Sequence, residues 1–482
     1  MSDVDSSATC RRQPRTGLLA RLVLFHFGSL LVFTTWAFGG QAPWARQGIA
    51  AWGAAGVLLF IAACRSRDKT DDTTRWPALR WLWPLWLYDL LVVLSCFNPG
   101  FKEVVAAGQR ALVLADPNPW LPSAARPWLA ARELWQFNVI VLSCFNLFLV
   151  LPGRRFVRGV LFLLATNAVV LAVFGTFQKL AHADGLWFGL VRSPNARFFA
   201  TFIYHNHWGA FTLLNTTVCL ALLFHALRRG GARDVWHSPV LLGAVVTLLL
   251  ATSVPLSASR SSTALLGLLL TGALAHFLGR LIRRRRERKE SALLPVTGIV
   301  LAVLIATAAV AYLSREVIAQ RARLTTEQLA HIAREDTLNS RLTLYRDTWT
   351  MAAAKPWFGW GLESYAHVFR IFNTQRAAEL WVWRPFYAEA HNDWLQSLAE
   401  TGFVGTGLLA LLVLLPLGAI PWRRADSAVP RYLLAGCALV LLYAWVEFPF
   451  ANPAVMLTFC AVFCCALRYA TLDLRAQAEE PR

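Results

Sequence analysis

With 482 residues, 56% of them hydrophobic and 16% charged, the chain carries far fewer charges than the quarter or so usual in soluble domains. Its apolar residues come in blocks of roughly 20, enough to cross a bilayer at about 1.5 Å per helical residue, which excludes a soluble enzyme, a disordered chain and a disulfide-stapled module. The formal charge of +19 would suit a nucleic-acid binder, but the basic residues sit between the apolar blocks, where they act as topology signals.

Twelve spans are predicted, at about 17–38, 47–64, 81–97, 134–152, 157–179, 206–227, 238–256, 262–281, 292–313, 403–421, 432–449 and 452–469. The first follows Arg11, Arg12 and Arg15 but exceeds a signal-peptide core, so it reads as a membrane helix. Alternate connections are basic: Arg65 to Arg80, then Arg154, Arg155 and Arg158, then Arg228, Arg229 and Arg233, then Arg280 to Lys289, then Arg423, Arg424 and Arg431. The short connections between them carry far fewer: Arg46, then Arg192 and Arg197, then Arg260, and none between the last two spans. Lys/Arg bias in short loops sets orientation, so both termini are predicted to be cytoplasmic. The run Arg283 to Lys289 reads as a juxtamembrane anchor, with no nucleic acid as partner.

Two outer segments are too long for turns. One, 98–133, is rich in Pro and Trp; the other, 314–402, is large enough for a small domain. Helices are predicted there at 315–334, 338–354 and 389–401, with KPWFGWG at 355–361 as a turn. The expected architecture is therefore an all-α polytopic membrane protein of about twelve transmembrane helices with one large, mainly helical loop on the outer side, which is periplasmic if the membrane is a bacterial inner membrane. Its parts are an N-terminal bundle at 1–313, the loop at 314–402 and a C-terminal bundle with tail at 403–482. All nine cysteines fall in the N-terminal tail or in spans; Cys460, Cys464 and Cys465 have no partnering histidines and read as packing.

Polar residues inside the spans are few: Asp89, Glu447, Asn146, Asn167 and Asn215. That sparseness argues against a continuous ion path. Glu447, near the outer end of its helix, reads equally as a bundle hydrogen-bonding group and as a site residue.

Three stretches bring polar groups to the outer boundary. Tyr204-His205-Asn206-His207-Trp208 opens the sixth span; positions i and i+2 of a helix diverge, so metal chelation by His205 and His207 is disfavoured. Ser257-Ala258-Ser259-Arg260-Ser261-Ser262 gathers donors suited to phosphate oxygens, or else a snorkelling arginine. The large loop supplies Arg341 and the string YAEAHNDWLQSLAETGFVG, in which His391 is suited to accept a proton near neutral pH. Glu389, Asp393 and Glu400 are rival bases there, or simply acids favouring a helix start. No Gly-rich phosphate loop, zinc spacing or serine elbow accompanies them.

These stretches, YHNHWGAF, SASRSSTALLGLLL, SRLTLYRDTWTMAAAKPWFGWGLESY and AHNDWLQSLAETGFVGTGLL, occur in an order that resembles the O-antigen ligase and polymerase family of bacterial inner-membrane glycosyltransferases. The resemblance implies a metal-independent, cofactor-free enzyme. Its donor is an undecaprenyl-diphosphate-linked glycan, and its acceptor a hydroxyl on lipid A core, on another glycan or on a protein. Carried over by motif, His391 takes the general-base role and Arg260 and Arg341 hold the diphosphate, while His205, Asn206 and His207 match a motif of less defined role in substrate binding. Ligase and polymerase share this pattern. A polysaccharide or lipid transporter and a non-catalytic assembly partner are the readings from other classes.

Overall fold

The computed structural model describes residues 17–65, 77–106, 108–229, 239–313, 337–374, 386–422 and 427–479. In chain order these form α1 (Leu18–Trp36), α2 (Pro43–Arg65), α3 (Trp83–Cys96), β1 (Phe101–Ala106), β2 (Gln109–Leu114), α4 (Pro127–Val150), α5 (Arg154–Leu180) and α6 (His205–Arg229). There follow α7 (Pro239–Leu256), α8 (Arg260–Glu287), α9 (Leu293–Leu313), α10 (Thr337–Ala354), α11 (Tyr365–Phe372), α12 (Asp393–Ala419), α13 (Ala428–Tyr443) and α14 (Pro453–Ala478).

The protein is an all-α polytopic membrane protein. Among the described residues, ten helices are long and apolar enough to cross a membrane, and each falls on a predicted span. The ninth and eleventh predicted spans coincide with shorter apolar helices, Leu293–Ile305 and Ala428–Tyr443. The eleventh ends at Tyr443, not at 449: the chain turns through 444–448 and makes a short 3-10 turn at Pro449–Ala451. A second difference is β1 and β2, an antiparallel ribbon pairing Phe101 with Leu114 inside the first outer segment. The predicted helix at 315–334 and the basic positions Arg67, Lys69, Arg75, Arg233, Arg423 and Arg424 lie outside the described residues.

Helices α4, α6 and α14 form the buried centre, while Leu and Trp side chains of α2, α3 and α9 stay exposed, as bilayer-facing helices require. The sparse polar residues of the spans are consumed inside the bundle. Asn146 Nδ2 donates to Gly56 O at 2.8 Å, Asn167 Nδ2 donates to Thr35 Oγ1 at 3.1 Å, and Asp89 accepts from Asn138 Nδ2 at 2.8 Å. Asn215 Nδ2 donates to Phe211 O within its own helix at 2.8 Å. Each such bond lowers the cost of keeping a polar group inside the bundle.

The two outer segments dock on one another. Lys355 Nζ donates to Ser123 Oγ at 2.8 Å and stacks over Trp360 at 4.4 Å, and Ala125 N donates to Trp360 O at 3.0 Å. A small separate core, with Leu344, Met351, Tyr365, Val368 and Phe369, holds α10 and α11 together over the membrane part.

Candidate functional site

Helix α12 positions the site. Its N-cap, Asn392, accepts from Leu395 N at 3.0 Å, a favourable start for a helix. Gly402 (φ 63°, ψ −171°) then breaks it, leaving carbonyls before the break and N–H groups after it without helical partners. The turn at 355–361 meets those groups. Trp360 N donates to Ala399 O (3.0 Å) and Gly361 N to Glu400 O (2.7 Å), while Phe403 N donates to Pro356 O (2.8 Å) and Val404 N to Trp357 O (3.1 Å). A side chain at Gly402 would run into the Trp357 carbonyl, and one at Gly359 into the Glu400 backbone. The predicted turn is thus a splint on a broken helix.

At the first residue of α12, the Asp393 N–H donates to Ala444 O at 2.9 Å and its carboxylate accepts from Phe450 N at 2.9 Å. This two-sided clamp fixes the turn after α13 against the first residue of α12. Glu447 and His391 therefore face each other: His391 Nδ1 lies 3.5 Å from Glu447 Oε2, an ion-pair distance without the geometry of a hydrogen bond. The other carboxylate oxygen, Oε1, accepts from Arg341 Nη2 at 3.3 Å. Glu447 is 4% exposed, His391 29% and Arg341 50%, so the acid is enclosed and the two bases open outward.

The surroundings hold this group in place. The His391 ring stands edge-on to Phe448 at 4.7 Å, and its carbonyl accepts from the Tyr345 hydroxyl at 2.9 Å. Tyr345 lies one turn beyond Arg341, so the same face of α10 supplies both contacts. His391 has φ 54°, a left-handed conformation uncommon outside glycine and one that clusters at functional sites. For Glu447, burial pushes its pKa up, but its interactions with the nearby His391 imidazole and then the charge of Arg341 outweigh burial, and the net direction is down. The carboxylate is thus ionised at neutral pH.

The other candidate residues take distinct places. His205, Asn206 and His207 are all buried at the start of α6. Asn206 Nδ2 donates to the Tyr204 hydroxyl at 2.8 Å, which donates to Glu447 Oε2 at 3.4 Å; burial, then the Glu447 charge, keep that phenol protonated. His207 Nε2 lies 3.2 Å from Phe448 O, and His205 packs edge-on to the Tyr204 ring at 4.8 Å. Arg260 begins α8 and is exposed; Ser259 and Ser262 beside it share a 2.9 Å hydrogen bond and reach the Tyr443 hydroxyl, which donates to Asn206 O at 3.5 Å. His391 and Arg341 thus meet on Glu447 directly, whereas Arg260 is the sequence neighbour of Ser259, from which a polar chain through Tyr443 and Asn206 leads there.

Two of the rival bases are otherwise engaged. Glu400 accepts from Glu363 N and Tyr365 N, and Asp393 forms the clamp. Glu389 accepts from Gln396 Nε2 at 2.7 Å; burial pushes its pKa up to about 7, and its charged neighbours are Glu363, Arg46 and Glu133 rather than Arg341. Sequence reasoning undervalued Glu447 and passed over Tyr345 and Phe448. An acid retained in the apolar run VEFPF just before a proline was the available signal. Among the described residues no group of three or more His, Cys, Asp or Glu is arranged to hold a metal.

Residues 245–410 fit the family model described as O-antigen ligase. The matched stretch runs from α7 into α12 and contains Arg260, Arg341 and His391, while Glu447 lies beyond it. No curated protein matches the chain.

Proposed function

With an O-antigen ligase family domain across residues 245–410, we propose that this membrane protein is a glycosyltransferase moving a glycan from an undecaprenyl-diphosphate carrier to an acceptor hydroxyl, in the manner of an O-antigen ligase. It works at the periplasmic face of a bacterial inner membrane, with both termini cytoplasmic and 314–402 as the catalytic loop between two membrane bundles. The observation that carries the reading is the meeting of His391, Glu447 and Arg341, from three separate stretches of chain, at the rim of the bundle.

In this reading Glu447 holds the Nδ1–H of His391, leaving Nε2 with its lone pair towards the open side. Nε2 takes the proton of the acceptor hydroxyl as that oxygen attacks the anomeric carbon. The bond from that carbon to the diphosphate oxygen breaks, and in-line displacement inverts the anomeric centre. The diphosphate leaves against Arg341, whose guanidinium has donors beyond the one spent on Glu447, and Arg260. No metal or cofactor is assigned a role. Asn206 and His207, with His205 packed beside them, secure the Glu447–Phe448 turn that the site depends on.

The test is reconstitution of the full chain in liposomes with a lipid-linked glycan and a lipid A core acceptor. The expected products are glycan attached through an inverted linkage and free undecaprenyl diphosphate. If the acceptor used is itself carrier-linked, the same chemistry is polymerisation, and the group at the reducing end of the product tells the two apart. An intact donor after incubation with every acceptor would overturn the proposal.

A further inference from the structure

A groove of about 560 Å³ runs between α6, α8 and α13 from the membrane end opposite this site. One end is cationic. Arg228, Arg280 and Arg431 line it together with His276 and Tyr432, and no acidic side chain is among its described lining residues. His276 Nδ1 pairs with the Tyr432 hydroxyl at 2.7 Å, its ring stacks on Phe224 at 4.9 Å, and it lies within the electrostatic reach of all three guanidiniums. From there the groove follows α13 from Arg431 to Leu442, about 16 Å at the helical rise per residue. Along that path the walls become apolar, with Leu268, Leu439 and Leu442; Leu268 and Leu442 are exposed, so the groove is open along its side.

A cationic mouth at the membrane boundary continuous with an apolar corridor is complementary to an anionic head with an acyl tail. A soluble phosphate would leave the corridor empty, and a polyprenyl tail would overrun it. We propose that the groove is a binding site for a net-anionic glycerophospholipid, its phosphate against Arg228, Arg280 and Arg431 and one acyl chain along the leucine wall. The lipid comes from the leaflet bordering the basic connections, which is the cytoplasmic leaflet in the orientation proposed above. The site is separate from the transfer chemistry and does not depend on it.

The experiment uses the full chain in nanodiscs, with native mass spectrometry reading retained lipid from equal amounts of phosphatidylglycerol and phosphatidylcholine. Phosphatidylglycerol is expected in at least roughly tenfold excess, falling about fivefold in each of Arg280→Gln and Arg431→Gln. Gly272 lines the groove and a Cβ there meets nothing within 4 Å, so Gly272→Leu starts its side chain in open space and extends it into the groove. That variant is expected to lose the lipid while melting at the wild-type temperature. Equal retention of the two lipids, or unchanged phosphatidylglycerol in Gly272→Leu, overturns the proposal. So does undecaprenyl phosphate displacing phosphatidylglycerol at equal concentration.

Discussion

At Glu447 two effects compete: enclosure disfavours the charged carboxylate, while His391 and Arg341 favour it, and the bases win. Because its pKa is lowered on folding, its contribution to stability is present above the ordinary value of 4.5 and is lost as pH falls through the folded value. Glu447→Gln keeps the shape and removes the charge. Transfer turnover is expected to fall on the order of 10²-fold with little change in KM, with an altered pH–rate profile that a merely structural substitution would leave alone. Glu389 behaves oppositely. Burial raises its pKa from 4.5 to about 7, so the folded state binds an extra proton between those values and stability declines as pH rises through them. Glu389 keeps part of its surface in solvent, which trims the effect to about 1–2 kcal/mol. Glu389→Gln is expected to flatten that decline in thermal unfolding curves recorded at pH 4.5 and pH 8; an unchanged slope would show that Glu389 does not carry it.

Among the elements, α12 does most to assemble the site, and it depends on the break at Gly402. Gly402→Ala puts a Cβ on a left-handed backbone and into the Trp357 carbonyl, so the splint must open. A loss of about 1–3 kcal/mol is expected, with faster proteolysis at 355–361; a variant as stable as wild type would contradict the splint. The helical content of the loop was readable in part: 338–354 coincides closely with α10, and 355–361 with the turn. The helix predicted at 389–401 runs on into the tenth span as expected, but hydropathy could not reveal the break at Gly402 between them, because the partners of the interruption lie some forty residues upstream. It also carried the eleventh span through Glu447 to 449, since VEFPF remains apolar on average after the helix has ended at Tyr443. The ribbon β1–β2 escaped notice because its strands are short and sit in a segment marked mainly by Pro and Trp.

Over the whole molecule, apolar blocks and basic connections made the membrane architecture legible, because burial in lipid is decided by composition over some twenty residues at a time. The site was legible only as polar groups sharing a face. Their convergence depends on a clamp between Asp393 and the 444–450 turn, a tertiary contact that local pattern does not encode. The face assignment is itself testable. Cysteine introduced at exposed Asp116 is expected to react with an impermeant maleimide in intact spheroplasts, and cysteine at exposed Ser291 only after permeabilisation; the reverse pattern would invert the topology. The most direct measurement of the account is the single-turnover rate of glycan transfer in proteoliposomes with wild-type protein and His391→Ala at matched amounts of folded protein. The account predicts a loss of about 10²–10⁴-fold in the variant. Equal rates would contradict it.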